Sequence, residues 1–178
     1  FSADMWKEMG YASRPAVFTE TETPITILIL VLIGAMVAIK NNFKALMVAH
    51  AFIIIGFVVA GLSTYYFTQH LLDPFWWMML VGLGLYLVYI PFNSIFFDRL
   101  IAAFSMKGNV GFFIYVADSV GYVGSVSVML VKEGMTLKIQ WTSFFSQSVI
   151  ILSFVGVFIT AYSAYYFFSK SKTTPLMQ

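Results

Sequence analysis

Cysteine is absent from this 178-residue chain. Its absence excludes thiolate-bound zinc, iron–sulfur clusters and cysteine nucleophiles, while leaving the compartment open. Charge is also scarce. Only 10% of residues are Asp, Glu, Lys or Arg, against about 25% in soluble domains. The basic residues stand singly between apolar runs, so no nucleic-acid surface is expected. There are two histidines, His50 and His70. Twenty residues of helix would hold them about 30 Å apart, so they cannot share one metal or haem, and each is expected at a membrane interface. No H-E-x-x-H, G-x-S-x-G or phosphate-loop pattern occurs. No enzymatic activity, cofactor or metal is expected.

What the chain has instead is apolar length. Hydrophobic residues make up 60% of it and mean hydropathy is +0.87. Five runs stand out: Val17–Ile39, Ala45–Phe67, Phe75–Phe97, Asn109–Val131 and Phe145–Phe168. Each is about 23 residues, the length an α-helix needs to cross a hydrocarbon core ~30 Å thick. Strands of a membrane barrel would be about 10 residues long with alternating polarity, so a β-barrel is excluded. The expectation is an all-α, polytopic transmembrane bundle forming one domain over residues 1–178, with consecutive helices antiparallel because the loops are short. No Pro/Ser-rich linker or low-complexity tract divides it.

Three segments should share one face of the membrane: Lys40–Lys44, Phe97–Gly108 and Ser169–Gln178. They carry Lys40, Lys44, Arg99, Lys107, Lys170 and Lys172, against Lys7, Arg14, Lys132 and Lys138 on the other face. This excess of positive charge places the C-terminus in the cytoplasm and the N-terminal end outside. Trp6, Trp76, Trp77 and Trp141 then fall on the outer side and Tyr162, Tyr165 and Tyr166 on the inner, as interfacial belts would. An odd number of spans puts the ends on opposite faces. The chain begins Phe-Ser-Ala-Asp rather than with Met, and is expected to be a piece of a longer protein.

The second and fifth runs carry no charge beyond His50, whereas the other three carry polar anomalies. Asp118 lies deep in the fourth run. A bare carboxylate at the bilayer centre costs about 2.5–3.5 kcal/mol on insertion scales, so such groups face a partner, a cavity or protein interior. Gly121, Tyr122 and Ser125 share its helix face. Ala117, Gly121 and Ser125, widened by Gly124, form a small-residue stripe suited to helix packing. Asp118 is therefore read either as a packing contact or as a substrate or proton-coupling group. Pro91 interrupts the third run and exposes polar groups near Asn93, the pattern of a hinge beside a transporter site. Asp98 and Arg99 follow at its cytoplasmic end, as an ion pair or gate. Glu20 and Glu22 precede Pro24 at the outer end of the first run. They read as an acidic mouth for cations with Pro24 as a second hinge, or as helix-start acids capped by Thr19, Thr21 and Thr23.

This distribution resembles the C-terminal half of a major facilitator superfamily transporter, built from two three-helix inverted repeats. The five runs would match helices eight to twelve. In that fold the third helix of each repeat supports from outside, and here the charge-free runs take that place. The superfamily's Gly-rich acidic–basic loop is not reproduced in Lys40–Lys44. The strings WKEMGYASRPAVFTETETP, YIPFNSIFFDRLIAAF and KGNVGFFIYVADSVGYVGS are similar to an uncharacterised bacterial family, domain of unknown function 5690. The resemblance implies a bacterial inner-membrane transporter moving a small polar or anionic metabolite by alternating access. Asp118, Asn93, Tyr122, Glu20 and Glu22 would be its substrate or coupling-ion residues. The partners would be lipid, a small-molecule substrate and the missing N-terminal half of the same chain. The alternative expectation is a non-catalytic subunit of a larger membrane complex.

Overall fold

The computed structural model describes residues 2–12, 14–134 and 140–173, with side chains for all of these except residues 2 and 131–134. Lys138 and the side chain of Lys132, counted above toward the outer face, lie outside the described residues. Among the described residues, regular structure is helical throughout: α1 (Ser2–Glu8), α2 (Ala16–Val37), α3 (Asn42–Thr68), α4 (Pro74–Pro91), a π-helical turn (Phe92–Phe96), α5 (Phe97–Phe104), α6 (Val110–Gly134) and α7 (Trp141–Ser171). Five stretches among the described residues are long and apolar enough to cross a membrane: Ala16–Val37, Asn42–Thr68, Pro74–Phe104, Val110–Leu130 and Trp141–Ser171. They mark the chain as an integral membrane protein. The third and fifth run further than their apolar cores, because a helix continues past the hydrocarbon until a cap or a turn stops it.

Local chemistry sets those ends. Asn41 caps α3 by accepting from the Lys44 amide at 2.8 Å. Asp73 caps α4 by accepting from the Phe75 amide at 2.8 Å, with Pro74 in the first turn, where a missing N–H costs nothing. Ser105 ends α5 in the left-handed region, at φ 49°. The threonines of α2 do not cap it: the cap is Pro15 without a side-chain bond, and Thr21 Oγ1 donates back to the Val17 carbonyl at 2.8 Å. Helix α2 starts a full turn before those threonines, so their hydroxyls find carbonyls of a turn already formed.

Helix α3 is the hub, packed against α2, α4, α5 and α7. It meets α4 at Gly56 and Gly84. A Cβ on Gly56 would lie 2.5 Å from the Gly84 carbonyl oxygen, and a Cβ on Gly84 would lie 2.6 Å from that of Gly56. Two backbones can come this close only without side chains between them. Toward the expected cytoplasmic end Met36, Leu46, Ala49, Ile53, Ile95 and Phe96 form a buried cluster. At the other end Trp77 stacks on Phe67 with centroids 3.8 Å apart, and its Nε1 donates to Thr64 Oγ1 at 3.1 Å.

The tryptophans therefore depart from the interfacial belt. Trp6, Trp77 and Trp141 are buried, and only Trp76 is exposed. Their position along the spans is that of a belt, but their rings close the end of the bundle. His50 departs likewise. It is buried inside the bundle, with Nδ1 2.8 Å from the Leu46 carbonyl and Nε2 3.0 Å from Ser163 Oγ, and so bridges α3 to α7.

Helix α6 differs from the rest. None of the residues in its apolar stretch is buried. It joins the bundle near its start, where Phe113 stacks on Phe97 of α5 at 5.6 Å.

Candidate functional site

The site begins with a missing hydrogen. Pro91 has no amide proton, so the Leu87 carbonyl loses its usual donor one turn on. The helix responds by widening: Phe92–Phe96 forms a π-helical turn, and Ser94 Oγ donates to the Ile90 carbonyl at 2.6 Å. π-Turns inside α-helices often mark functional sites. Here the turn carries Asn93, whose Oδ1 is buried without a hydrogen-bond partner among the described residues.

Asn93 does not stand alone. Tyr89, Phe92 and Asn93 from the α4 side and Ala117, Asp118, Gly121, Tyr122 and Ser125 from α6 line one pocket of about 360 Å³. Asp118 is half-buried and has no hydrogen-bond partner among the described residues. Ser125 Oγ donates to the Gly121 carbonyl of its own helix at 3.1 Å, so its proton is already engaged. Nothing stands within 4 Å of where a Cβ on Gly121 or Gly124 would be. Among the described residues, Gly121 and Gly124 of the α6 stripe thus face open space, which departs from their expected packing role. They leave room beside Asp118.

Tyr89 also lines a second hollow of about 500 Å³, with Met5, Glu22, Met78, Val81, Gly82, Leu85, Tyr86 and Phe145. Tyr86 OH donates to Glu22 Oε2 at 3.2 Å. Tyr89 lines both hollows, which are named together the α4 groove, with Glu22 and Met5 in one and Asn93 and Asp118 in the other. Among the described residues, no lysine, arginine or histidine lines it.

The structure thus brings Asn93, Asp118, Tyr122 and Ser125 together and adds Glu22 at the far end. Glu20 stays apart, paired with Arg14 at 2.7 Å on the exposed surface. Pro24 lies inside α2, which stays helical through it. Asp98 is exposed, and Arg99 Nη1 donates instead to Asn42 Oδ1 of α3 at 2.8 Å. The Asp98–Arg99 ion pair is not among the interactions of the described residues. Neighbours on one helix point about 100° apart, which turns Arg99 to α3 and Asp98 away. The sequence reading missed Tyr86, Tyr89 and Phe92. A signal existed: Tyr89 and Tyr86 lie four and seven residues before Asn93, on the same helix face.

A separate polar contact ties the chain's start to its last span. Glu8 accepts from the Trp141 amide at 2.9 Å, the Thr142 amide at 2.9 Å and Thr142 Oγ1 at 2.7 Å. The carboxylate so caps α7 from a distant part of the sequence. Desolvation pushes the Glu8 pKa up, but the bonds from Thr142 and Trp141 together outweigh it and hold the carboxyl below its ordinary range.

A family model described as a family of unknown function (DUF5690) matches residues 1–170. The chain belongs to this family. No curated protein and no solved structure matches the chain. The family match takes in every residue of the groove, from Met5 to Phe145.

Proposed function

We propose that this chain is the C-terminal half of a secondary membrane transporter of major facilitator type in the bacterial inner membrane, without enzymatic activity. It moves a small polar metabolite by alternating access, and the groove between α4 and α6 is its half of the pathway. One observation carries the reading: an acid and an amide, neither hydrogen-bonded among the described residues, line one pocket between two spans. Intramembrane acids of this kind belong to substrate or proton pathways. Asp118 is the coupling or substrate carboxylate, Asn93 and Tyr122 contact the substrate, and the Pro91 turn is the hinge beside them. The missing N-terminal half of the same chain closes the open side of the groove. An anionic substrate would have to bring its own counter-charge, since no basic side chain lines the pocket among the described residues.

The test is Asp118→Asn in the full protein, scored for uptake and for folded yield. Normal yield with transport abolished supports the role. Full transport rejects it. Loss of yield with transport per folded molecule unchanged makes Asp118 a packing residue.

The open small-residue face of α6 favours a second reading, a non-catalytic subunit that docks a partner helix there. Co-purification of another membrane protein at fixed stoichiometry, lost on Gly121→Leu, would support that reading over transport.

A further inference from the structure

The groove has one sign of charge and one kind of ring. Asp118 and Glu22 are the acids that line it. Tyr86, Tyr89, Phe92 and Tyr122 line the same hollows, and among the described residues no basic side chain lines them. We infer that the ligand of this groove is an organic cation, an alkylammonium or quaternary ammonium compound whose charge rests against Asp118 among the rings of Tyr89, Phe92 and Tyr122. The inference deepens the transport reading and rests on it for the ligand's passage across the membrane.

Three physical points favour this class. A carboxylate with no hydrogen-bond partner among the described residues, half-buried within a membrane-spanning stretch, gains most from a ligand that neutralises it, and an anion there would be repelled. Aromatic rings attract cations through their quadrupoles, and surrounding a quaternary ammonium with rings is a recurrent way to bind one. A bare metal ion fits poorly. Calcium or magnesium takes six or more oxygen ligands, whereas this pocket has one carboxylate, one serine already donating to its own helix, an amide and two phenols. The volume of about 360 Å³ lies at the small end of small-molecule sites, which run from about 300 to 1,000 Å³.

Charge can be varied at constant shape. Choline, 3,3-dimethylbutan-1-ol and 3,3-dimethylbutanoate are near-isosteres that are cationic, neutral and anionic. Each is titrated into the full protein purified in detergent, with sodium chloride as the inorganic control, and affinity is read from the rise in thermal midpoint. Choline should bind, and the neutral and anionic analogues at least about tenfold more weakly. Asp118→Asn should abolish the preference. Tyr122→Leu should weaken choline about 2- to 30-fold while Tyr122→Phe, which keeps the ring, should not. Tyr122 is 71% exposed, so this pair keeps the test valid if Asp118→Asn misfolds. Equal binding of all three analogues, a preference for the anion, no binding of choline, or stabilisation by sodium alone overturns the inference. Uptake into proteoliposomes separates the two claims. Choline that binds but is not carried overturns transport and leaves the cation site. Asp118-dependent uptake of an anion without ammonium binding does the reverse.

Discussion

Replacing Gly56 with alanine should loosen the bundle at its tightest point. The added methyl would lie 2.5 Å from the Gly84 carbonyl oxygen and 3.0 Å from both Leu87 Cβ and Val88 Cγ2, where ordinary contact begins at 3.4 Å. The shortfall against the carbonyl is 3.4 − 2.5 = 0.9 Å. A side-chain tip could swing aside, but a backbone carbonyl inside a helix moves only with the helix. Helices α3 and α4 must therefore separate by most of that distance, and every contact along the seam lengthens. Overpacking of this kind costs about 1–3 kcal/mol. Gly84→Ala meets the Gly56 carbonyl at 2.6 Å and the Ala60 Cβ at 2.9 Å, so its cost should be similar. The same separation relieves both clashes, so the double variant should cost clearly less than the sum, a coupling expected of residues in contact. Gly34→Ala is the control, because nothing stands within 4 Å of its added methyl, and the exchange should be neutral or stabilise by up to about 1 kcal/mol. Reversible unfolding of the purified protein in mixed micelles by added dodecyl sulfate gives all four values. Strictly additive losses, or Gly56→Ala as stable as wild type, would refute the close backbone approach.

Ser163→Ala should remove the bond that joins α7 to His50 of α3. Interhelical bonds in membranes average about 0.6 kcal/mol and reach about 1.7, so the same unfolding assay should show a loss in that range, and a gain would contradict the bridge. Glu8 should make stability pH-dependent. Its folded pKa is held below the ordinary value of 4.5, so its contribution is complete above that value and is lost as pH falls through the lower folded one. The difference in stability between wild type and Glu8→Gln should therefore shrink on acidification from about pH 6 toward pH 3, and a constant difference would rule out the carboxylate cap. Pro91→Ala returns a donor to the Leu87 carbonyl and should tighten the π-turn. Amide exchange across residues 87–97 should slow, and faster or unchanged exchange would mean that something other than the missing proton holds the turn open.

The spans were legible because lipid leaves little choice. A backbone in hydrocarbon must satisfy its own hydrogen bonds, so an apolar run of about 23 residues becomes a helix whatever surrounds it. Pro91 was legible for the same reason: it removes a donor at a known place. Partners were harder to read. Gly56 and Gly84 stand in sequences no more suggestive than Gly121 and Gly124, yet the first two meet backbone to backbone and the second two face empty space. A small residue permits close approach, but the approach itself is decided by a second helix that lies elsewhere in the sequence. Burial of the tryptophans and of His50 was hidden in the same way. Depth along a span follows from counting residues, whereas the direction a side chain faces depends on how the helices rotate against one another.

The same distinction bears on the groove. Asp118 drew attention by its cost in lipid, and Asn93 by its place beside Pro91, two signals that arose on different helices for different reasons. Nothing in the sequence required them to meet. They line one pocket, because the short turn after α5 returns the chain at once and the Phe97–Phe113 stack sets where α6 departs. Helix α6 starts near Val110, so Asp118 lies about 12 Å along it. The α3–α4 seam is held by backbone contact, while α6 is held at its foot, so under the transport proposal opening and closing of the groove would fall to α6 and the turn at Pro91. A ligand that drew α6 toward α4 would bury Asp118 and Tyr122 together. The proposed binding role would need such an arrangement if occupancy is to be coupled to movement, and the coupling would then fall in α6, whose apolar stretch has no buried residue.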